Sequence, residues 1–281
     1  ELLELKNKHG AKYILFEDDV FAMNEKWMTE FAPLYKKKIG LPFAAFGHTQ
    51  LLTPNMVKLL KKAGCDFLWF GLQSANEKIR REVHARFERN EEVIRAFDLT
   101  RKAGIKTMVD HICNVPYETH ESIYEAFHLY NRIRPNIINV YNLLYFPKAK
   151  INEIALQAGL ITEKDIKKIN EGKYEVYQAG NYSDHRKNFY NRYALLISCI
   201  PLMPSWLVNN IANSERLVNF FSRLPPHLIP IVKIIVNIRS GRGFLPLAIL
   251  KIEIYYALQF IKARINGLFK QSSYDFAEAR D

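Results

Sequence analysis

Cysteine is scarce in this chain of 281 residues, which contains three of them. Cys65, Cys113 and Cys199 are widely separated and odd in number, so they form neither a disulfide framework nor a CxxC metal site. We interpret Cys65 and Cys113 as small core side chains. A reducing compartment is the simplest setting for such a chain, and we expect a cytoplasmic protein.

The chain also lacks an initiator Met, a basic leader and a signal-type apolar core at its start. The opening ELLELKNKHG is typical of an amphipathic helix already under way, so we expect a piece of a longer protein. The most apolar stretches, near the C-terminus, are interrupted by Lys233, Lys251 and Glu253. We therefore predict buried or interfacial helices there instead of membrane spans.

Acidic residues are nearly absent from a long stretch near the C-terminus. Residues 186–270 contain twelve Lys or Arg but two acids, Glu215 and Glu253. The formal net charge of +11 indicates an anionic partner, such as nucleic acid, a membrane surface or a phosphorylated substrate. Because no nucleic-acid recognition motif is present, we do not expect nucleic-acid binding. A module whose C-terminal helices lie on anionic lipid stays open, as does a basic face that is simply solvated.

A regular alternation fills residues 1–160. Short β-branched or aromatic runs alternate with segments of helical spacing, and KKAGCDF and RKAGIKT repeat one pattern of helix end, Gly and strand entry. This alternation predicts an α/β fold with a parallel sheet covered by helices, either a barrel or a doubly wound sheet. The predicted strands are 13–16, 42–46, 66–70, 105–114 and 137–146.

The alternation stops after Gly159. We therefore predict three parts: a barrel over 1–160, a linker over 161–184, and a basic, apolar, helical C-terminal region over 185–281.

Polar or turn-forming residues follow every predicted strand. In parallel β/α folds these positions share one rim, where the reactive groups gather. A scaffold needs turns there, but it does not need carboxylate, imidazole, amide and hydroxyl groups together. The residues are Glu17, Asp18 and Asp19, then Gly47, His48, Thr49 and Gln50, then Gly71, Leu72, Gln73 and Ser74, then 114–119, and finally Tyr145, Phe146 and Pro147.

Several interpretations of these residues are open from chemistry alone. Asp18, Asp19, His48 and His111 could bind a divalent metal in a barrel hydrolase. Alternatively, Asp18 and Asp19 cap a helix that begins near residue 24, and His48 is an ordinary loop histidine. Strand alternation would send one of Asp110 and His111 into the barrel and the other outward.

Four motifs in order resemble the radical S-adenosylmethionine (SAM) superfamily, most closely its branch with a cobalamin-binding domain. They are LFEDDVF, LLKKAGCDFLWFGLQSANEKIRREV, AFDLTRKAGIKTMVDHICNVPYETHES and INVYNLLYFPKAKINEIALQAGLI. The resemblance covers about residues 1–162. It implies a partial (β/α) TIM-like barrel with five of the six strands, followed by an α-helical C-terminal region. It also implies a [4Fe–4S] cluster and SAM, with cobalamin as a further option.

The resemblance also implies a cofactor site on the rim. Asp18 and Asp19 would contact the ammonium group of SAM, Gln73 and Ser74 its ribose and carboxylate, and Arg86 its carboxylate. We add His48 and Tyr145 to this predicted cofactor site. By the same resemblance, the reaction would be methyl transfer or a related C–H or C–C modification of a small or lipid-like substrate, with ferredoxin or flavodoxin as electron donor.

One feature of the family is missing. Its cluster is held by CxxxCxxC after the first strand, and this sequence contains no such triplet. We therefore expect the cluster ligands, and any cobalamin domain, to lie outside these residues, and this chain alone to be inactive.

Overall fold

The computed structural model describes residues 1–172, 189–221, 223 and 228–239. Within these ranges five strands form one parallel sheet in the order β1-β2-β3-β4-β5. The strands are β1 (Ile14–Phe16), β2 (Phe43–Phe46), β3 (Cys65–Gln73), β4 (Lys106–Cys113) and β5 (Ile137–Asn142). A doubly wound sheet reverses its strand order at a switch point. The strictly sequential order therefore selects the partial barrel from the two predicted arrangements.

All five predicted strands are present, with different ends. β3 continues to Gln73, three residues past its prediction, because Gln73 still pairs with β4 beyond an irregularity after Phe70. β5 ends at Asn142, four residues early. Residues 143–146 have no regular structure, and a turn begins at Pro147, which has no N–H to continue a ladder.

Helices follow the strands as the alternation predicts. They are α1 (Leu2–Asn7), α2 (Glu25–Lys38), α3 (Pro54–Ala63), α4 (Glu77–Glu82), α5 (Asn90–Lys102), α6 (His120–Ile133), α7 (Ile151–Gln157), α8 (Glu163–Asn170), α9 (Phe189–Cys199), α10 (Ser205–Ala212), α11 (Glu215–Phe221) and α12 (Ile229–Arg239). Both predicted start signals, Asn24 and Thr53, cap helices with their side chains. Gly40, Gly64 and Gly104 all have positive φ where helices end.

Two apolar layers lie on opposite faces of the sheet. The large core packs α2, α3, α5 and α6 against one face, through residues such as Phe43, Leu68 and Val109. We call the opposite side the inner face. It carries a smaller cluster of Ala44, Phe67, Met108 and Ile137, and Val236 of α12 belongs to this cluster.

The C-terminal helices share the core of the barrel. α9 packs against β5 and α6, and α12 packs against α9 and β5. Buried residues of α9 and α10, including Tyr193 and Val208, belong to the same core as the strands. Helices are thus present where the C-terminal region is described. Residues 185–188 and 240–281 of that region lie outside the described residues.

The predicted linker contains α8, which packs through Ile169 against Tyr145 and Ala155. Residues 173–184 of the linker lie outside the described residues, and the division into three parts stays a prediction. Among the described helices, none is both long and apolar enough to cross a membrane.

Asn24 is the residue that begins α2. Its Oδ1 accepts hydrogen bonds from the backbone N–H groups of Lys26 at 2.8 Å and Trp27 at 3.2 Å. Asp18 and Asp19 lie exposed before this turn and do not cap the helix. The helix-cap interpretation of the two aspartates is therefore wrong.

We expect Asn24→Ala to lower the free energy of unfolding by ~1 kcal/mol, because two N–H groups of α2 lose their acceptor. Asp18→Ala is the matched control and should change it by less than ~0.5 kcal/mol. Urea unfolding followed by circular dichroism measures both. Equal losses in the two variants would contradict this assignment of the cap.

Candidate functional site

The carboxyl end of β3 forms a close-fitting polar surface around Gly71. A Cβ at Gly71 would lie 2.8 Å from Nε2 of Gln73 and 3.2 Å from Nη2 of Arg86. Gln73 itself has a positive φ of 66° at the irregularity in the ladder between β3 and β4. Because Gly71 has no side chain, the amide of Gln73 and the guanidinium of Arg86 can both lie close to it. We call Gly71, Gln73 and Arg86 the β3 cradle.

A buried carboxylate supports the cradle from beside it. Arg86 Nη1 donates to Glu88 Oε1 at 3.1 Å, and the other Glu88 oxygen lies 3.9 Å from His48 Nε2. The Glu88 side chain is 3% exposed, whereas that of Arg86 is 32% exposed. Within the described residues, His48 Nδ1 and Glu88 Oε2 are buried without a hydrogen-bond partner. Unsatisfied buried polar atoms are typical of sites that receive a ligand or water.

Arg80 anchors the segment that carries Arg86 and Glu88. It is fully buried, and its guanidinium donates to the carbonyl oxygens of Ser74 and Glu88, both at 3.0 Å, and to Asn90 Oδ1 at 2.6 Å. Burial lowers the pKa of Arg80, and the nearby Glu88 carboxylate opposes that shift. Three charge-assisted hydrogen bonds thus hold the two ends of the 74–90 segment together.

Two of the predicted cofactor residues point into the protein. The Ser74 hydroxyl accepts the backbone N–H of Asn76 at 3.2 Å, and Ser74 is 3% exposed. Tyr145 is 1% exposed in the apolar cluster with Ile161 and Ile169, where burial raises its pKa to about 12. Ser74 therefore shapes the turn after β3, and Tyr145 packs under α7 and α8. Their contact with a cofactor stays a prediction.

Asp18 and Asp19 lie exposed at the carboxyl end of β1. Asp18 borders a cavity of about 340 Å³ with largely aromatic walls. A carboxylate beside aromatic faces suits a ligand that joins a cationic group to an apolar body. The other lining residues are Phe16, Val20, Phe21, Met23, Asn24, Trp27 and Phe31.

The hydrolase metal site is wrong, because its four residues do not come together. His111 is fully buried on the helix-facing side of β4, where Nδ1 lies 2.8 Å from the Tyr130 hydroxyl of α6. Asp110 faces the other way and accepts a hydrogen bond from Asn139 at 3.1 Å. The predicted alternation at Asp110 and His111 is thereby confirmed. Among the described His, Cys, Asp and Glu residues, one group lies close enough together to hold a metal. It includes His111 but not Asp18, Asp19 or His48.

Comparison with known proteins finds a match over the first part of the chain. The profile of the Radical SAM superfamily matches residues 1–130, which are a little less than half of the chain. This match confirms the predicted resemblance to that superfamily.

Two methyltransferases are among the proteins similar to this chain. One is the "Uncharacterized methyltransferase PH0819" of Pyrococcus horikoshii, 27% identical over 124 residues, which are 44% of this chain and 27% of that protein. The other is the bacteriochlorophyllide d C-8(2)-methyltransferase of Chlorobaculum tepidum, 24% identical over 225 residues, which are 77% of this chain and 48% of the relative. The chain thus spans about half the length of these relatives or less.

A solved structure has the same fold. It is the radical SAM methyltransferase TsrM of Kitasatospora setae, determined with cobalamin and a [4Fe–4S] cluster bound, with a TM-score of 0.50 and 21% identity. The match covers 58% of this chain and 34% of TsrM. At this identity the likeness concerns the fold alone.

The cysteines of this chain do not fit an iron–sulfur cluster. Cys65 lies in β3, Cys113 at the end of β4 and Cys199 at the end of α9. Cys65 and Cys113 are buried in the core, as predicted, and burial raises the pKa of all three thiols, that of Cys199 to about 11. A cluster needs three thiolates converging on one point, and these three residues cannot supply them.

The β3 cradle does fit the amino-acid end of SAM. Its guanidinium and amide can bind a carboxylate, and Gly71 permits close approach of a ligand. Glu88 and Arg80, which support this surface, escaped sequence analysis. In IRREVHARFERNEEV, residues 79–93, every charge is typical of a solvated helix and loop, and the apolar spacing of Ile79 and Val83 was the one signal that this face of α4 turns inward.

We expect His84 to make the protein acid-sensitive. Burial, assisted by the charge of Arg86, lowers the pKa of His84 to about 4. Below an ordinary pKa of about 6.5 the unfolded chain binds a proton that the folded chain does not, so stability falls as pH falls from 6.5 to 4. His84→Gln should remove ~2 kcal/mol of the loss between pH 7 and 4.5.

Urea unfolding at both pH values measures this difference. His9→Gln, which replaces an exposed histidine at the end of α1, is the control and should keep the full acid-dependent loss. A His84→Gln variant with the same pH dependence as the parent would contradict the prediction.

Proposed function

We propose that this chain forms the SAM-binding part of a radical SAM methyltransferase that uses cobalamin as a second cofactor. The observation that carries the proposal is the β3 cradle, in which Gln73 and Arg86 converge over Gly71 on the rim of a radical SAM barrel. A carboxylate binds well to a cation with several hydrogen-bond donors, and a guanidinium provides two such donors in one plane.

Each group of this site has a distinct role in the proposal. Arg86 binds the carboxylate of the methionyl part, and Gln73 donates its amide beside it. Glu88 orients Arg86 through its 3.1 Å hydrogen bond, while His48 lies on the other side of Glu88. Asp18 and Asp19, at the end of β1, accept hydrogen bonds from the ammonium group. SAM supplies the methyl group and, when reductively cleaved, a radical; the chain's own residues bind and orient it.

The reaction type is supported by the relatives. Two of them are named as methyltransferases, and TsrM binds cobalamin. In this proposal the cluster ligands and the cobalamin-binding part come from outside these 281 residues. The reductant is a ferredoxin or flavodoxin, and the substrate is a small or lipid-like molecule.

We expect Arg86→Gln to weaken SAM binding by roughly 10- to 100-fold, because charge-assisted hydrogen bonds contribute about 1.5–3 kcal/mol. Arg81→Gln is the matched control. Arg81 lies in the same segment, but its side chain is 59% exposed and near Glu82, so binding should not change. Arg86→Lys, which keeps the charge but loses the planar pair of donors, should be intermediate.

Isothermal titration calorimetry with SAM and with S-adenosylhomocysteine measures these affinities. Both ligands carry the same carboxylate, so Arg86→Gln should weaken both equally. Circular dichroism establishes that each variant is folded, since Glu88 loses its partner in Arg86→Gln. A folded Arg86→Gln variant that binds both ligands as the parent does would refute this site.

A second proposal concerns membranes, and the surface of α12 supports it. Ile231, Ile235 and Ile238 are 45%, 48% and 67% exposed and recur at helical spacing, opposite the buried Val236. Together with the basic composition of the C-terminal region, such a stripe favours peripheral contact with anionic lipid. This contact would bring the barrel close to a lipid-like substrate.

We expect the chain to co-sediment with vesicles that contain phosphatidylserine and to stay in the supernatant with neutral vesicles at the same lipid concentration. Replacing Ile235 and Ile238 by Ser should reduce binding several-fold. The control is Leu34→Ser, which changes an exposed apolar residue of α2. If the parent, the Ile235 and Ile238 variant and Leu34→Ser co-sediment with the vesicles equally, α12 does not contact the membrane.

A further inference from the structure

Three side chains with different metal-binding groups meet at the end of β4. A ring nitrogen of His111, Sγ of Cys113 and a carboxylate oxygen of Glu118 all lie within 4.8 Å of one another. His111 and Cys113 project from the same side of β4, two residues apart, toward the helix layer. Glu118 follows in the turn before α6. This group, which we call the β4 triad, shares no residue with the β3 cradle, although Gln73 of the cradle is the sheet partner of His111.

His111 and Cys113 are buried, Glu118 is partly buried, and the histidine has an unused nitrogen. His111 is 1% exposed and Cys113 is 0% exposed. Nδ1 of His111 lies 2.8 Å from the Tyr130 hydroxyl, while Nε2 has no hydrogen-bond partner among the described residues. A neutral imidazole buried with one nitrogen unsatisfied is costly unless a ligand or water completes it.

We propose that the β4 triad binds one zinc-like divalent cation through His111 Nε2, Cys113 Sγ and a Glu118 carboxylate oxygen. Imidazole, thiolate and carboxylate are the three ligand types that Zn²⁺ uses in proteins. Thiolate and carboxylate together neutralise the dication, which suits a buried position. Mg²⁺ and Ca²⁺ are disfavoured because they need several oxygen ligands.

Neighbouring groups are arranged to hold the ligands in place. The Tyr130 hydroxyl engages the second nitrogen of His111, which is the usual arrangement around a metal-bound imidazole. The backbone N–H of Asn114 donates to Glu118 Oε2 at 2.7 Å, and the backbone N–H of Val115 also donates to this carboxylate, so its orientation is fixed. Three protein ligands leave one position of a tetrahedral zinc site for water.

Metal binding to the β4 triad would also stabilise the contact between the 114–118 turn and α9. The cation would connect β4 to the 114–118 turn. The side chain of Asn114, in that turn, accepts the N–H groups of Phe189 at 2.8 Å and Tyr190 at 3.3 Å at the start of α9. We therefore expect the metal-bound chain to keep α9 docked at higher temperatures.

The test uses the full chain expressed in medium supplemented with zinc or with cobalt, because a buried site will exchange metal slowly. We expect one equivalent of zinc by plasma mass spectrometry after desalting. We expect the cobalt form to show a thiolate-to-cobalt charge-transfer band in the near ultraviolet. The parent should also unfold at a higher temperature when metal is bound than after chelation.

Cys113→Ser should lose the charge-transfer band and the bound equivalent, and Glu118→Gln should bind at least tenfold more weakly. Cys65→Ser is the matched control, because Cys65 is an equally buried cysteine of the neighbouring strand. It should retain both signals. Circular dichroism identifies any variant that fails to fold.

Two outcomes would overturn the proposal, and the first needs no variant. A folded parent that takes up neither zinc nor cobalt has no such site. A charge-transfer band that persists in Cys113→Ser but disappears in Cys65→Ser or Cys199→Ser would place an adventitious ion elsewhere. Because neither SAM nor catalysis enters these measurements, they stand or fall independently of the proposed methyltransferase function.

Discussion

The contact between the barrel and the C-terminal helices depends on the hydrogen bonds of one side chain, that of Asn114. Its amide nitrogen donates to Asn142 Oδ1 at 2.6 Å, which connects the ends of β4 and β5. Its oxygen accepts the first N–H groups of α9. Asn114 also has a φ of 62°, a left-handed conformation that Asn tolerates better than most residues. One side chain at the end of β4 therefore satisfies polar groups of two other elements, β5 and α9.

The rim depends in a similar way on one buried charge, the guanidinium of Arg80. Arg80 draws the backbone at Ser74 and Glu88 together, and that closure determines where Arg86 and Glu88 lie. Removing such a guanidinium would leave buried carbonyl groups unsatisfied, a cost of about 1–3 kcal/mol each. Arg80, which is fully buried, thus positions the cradle without forming part of its surface. Binding residues on a rim keep their geometry only when the loops that carry them are held in this manner.

Periodicity and turn chemistry predicted most of the fold. Asn24, Thr53 and Gly64 are local signals whose physics does not depend on the rest of the chain, and all three end or begin helices as expected. The burial of Tyr145 could not be predicted, because it is covered by α8 in a segment whose composition resembles a linker. Arg80 and Arg81 are neighbours of the same type, yet one is fully buried and the other mostly exposed. Tertiary packing decides that difference, and the residue type alone does not predict it.

β1 has a consequence for how copies of this protein meet. Among the described strands it forms one edge of the sheet, and it is three residues long. Open strand edges invite pairing with strands of other molecules, which leads to aggregation. Glu17, Asp18 and Asp19 follow this edge directly and are exposed. Their negative charges repel the same edge of a second copy and so disfavour pairing through this edge, and salt that screens them weakens that repulsion.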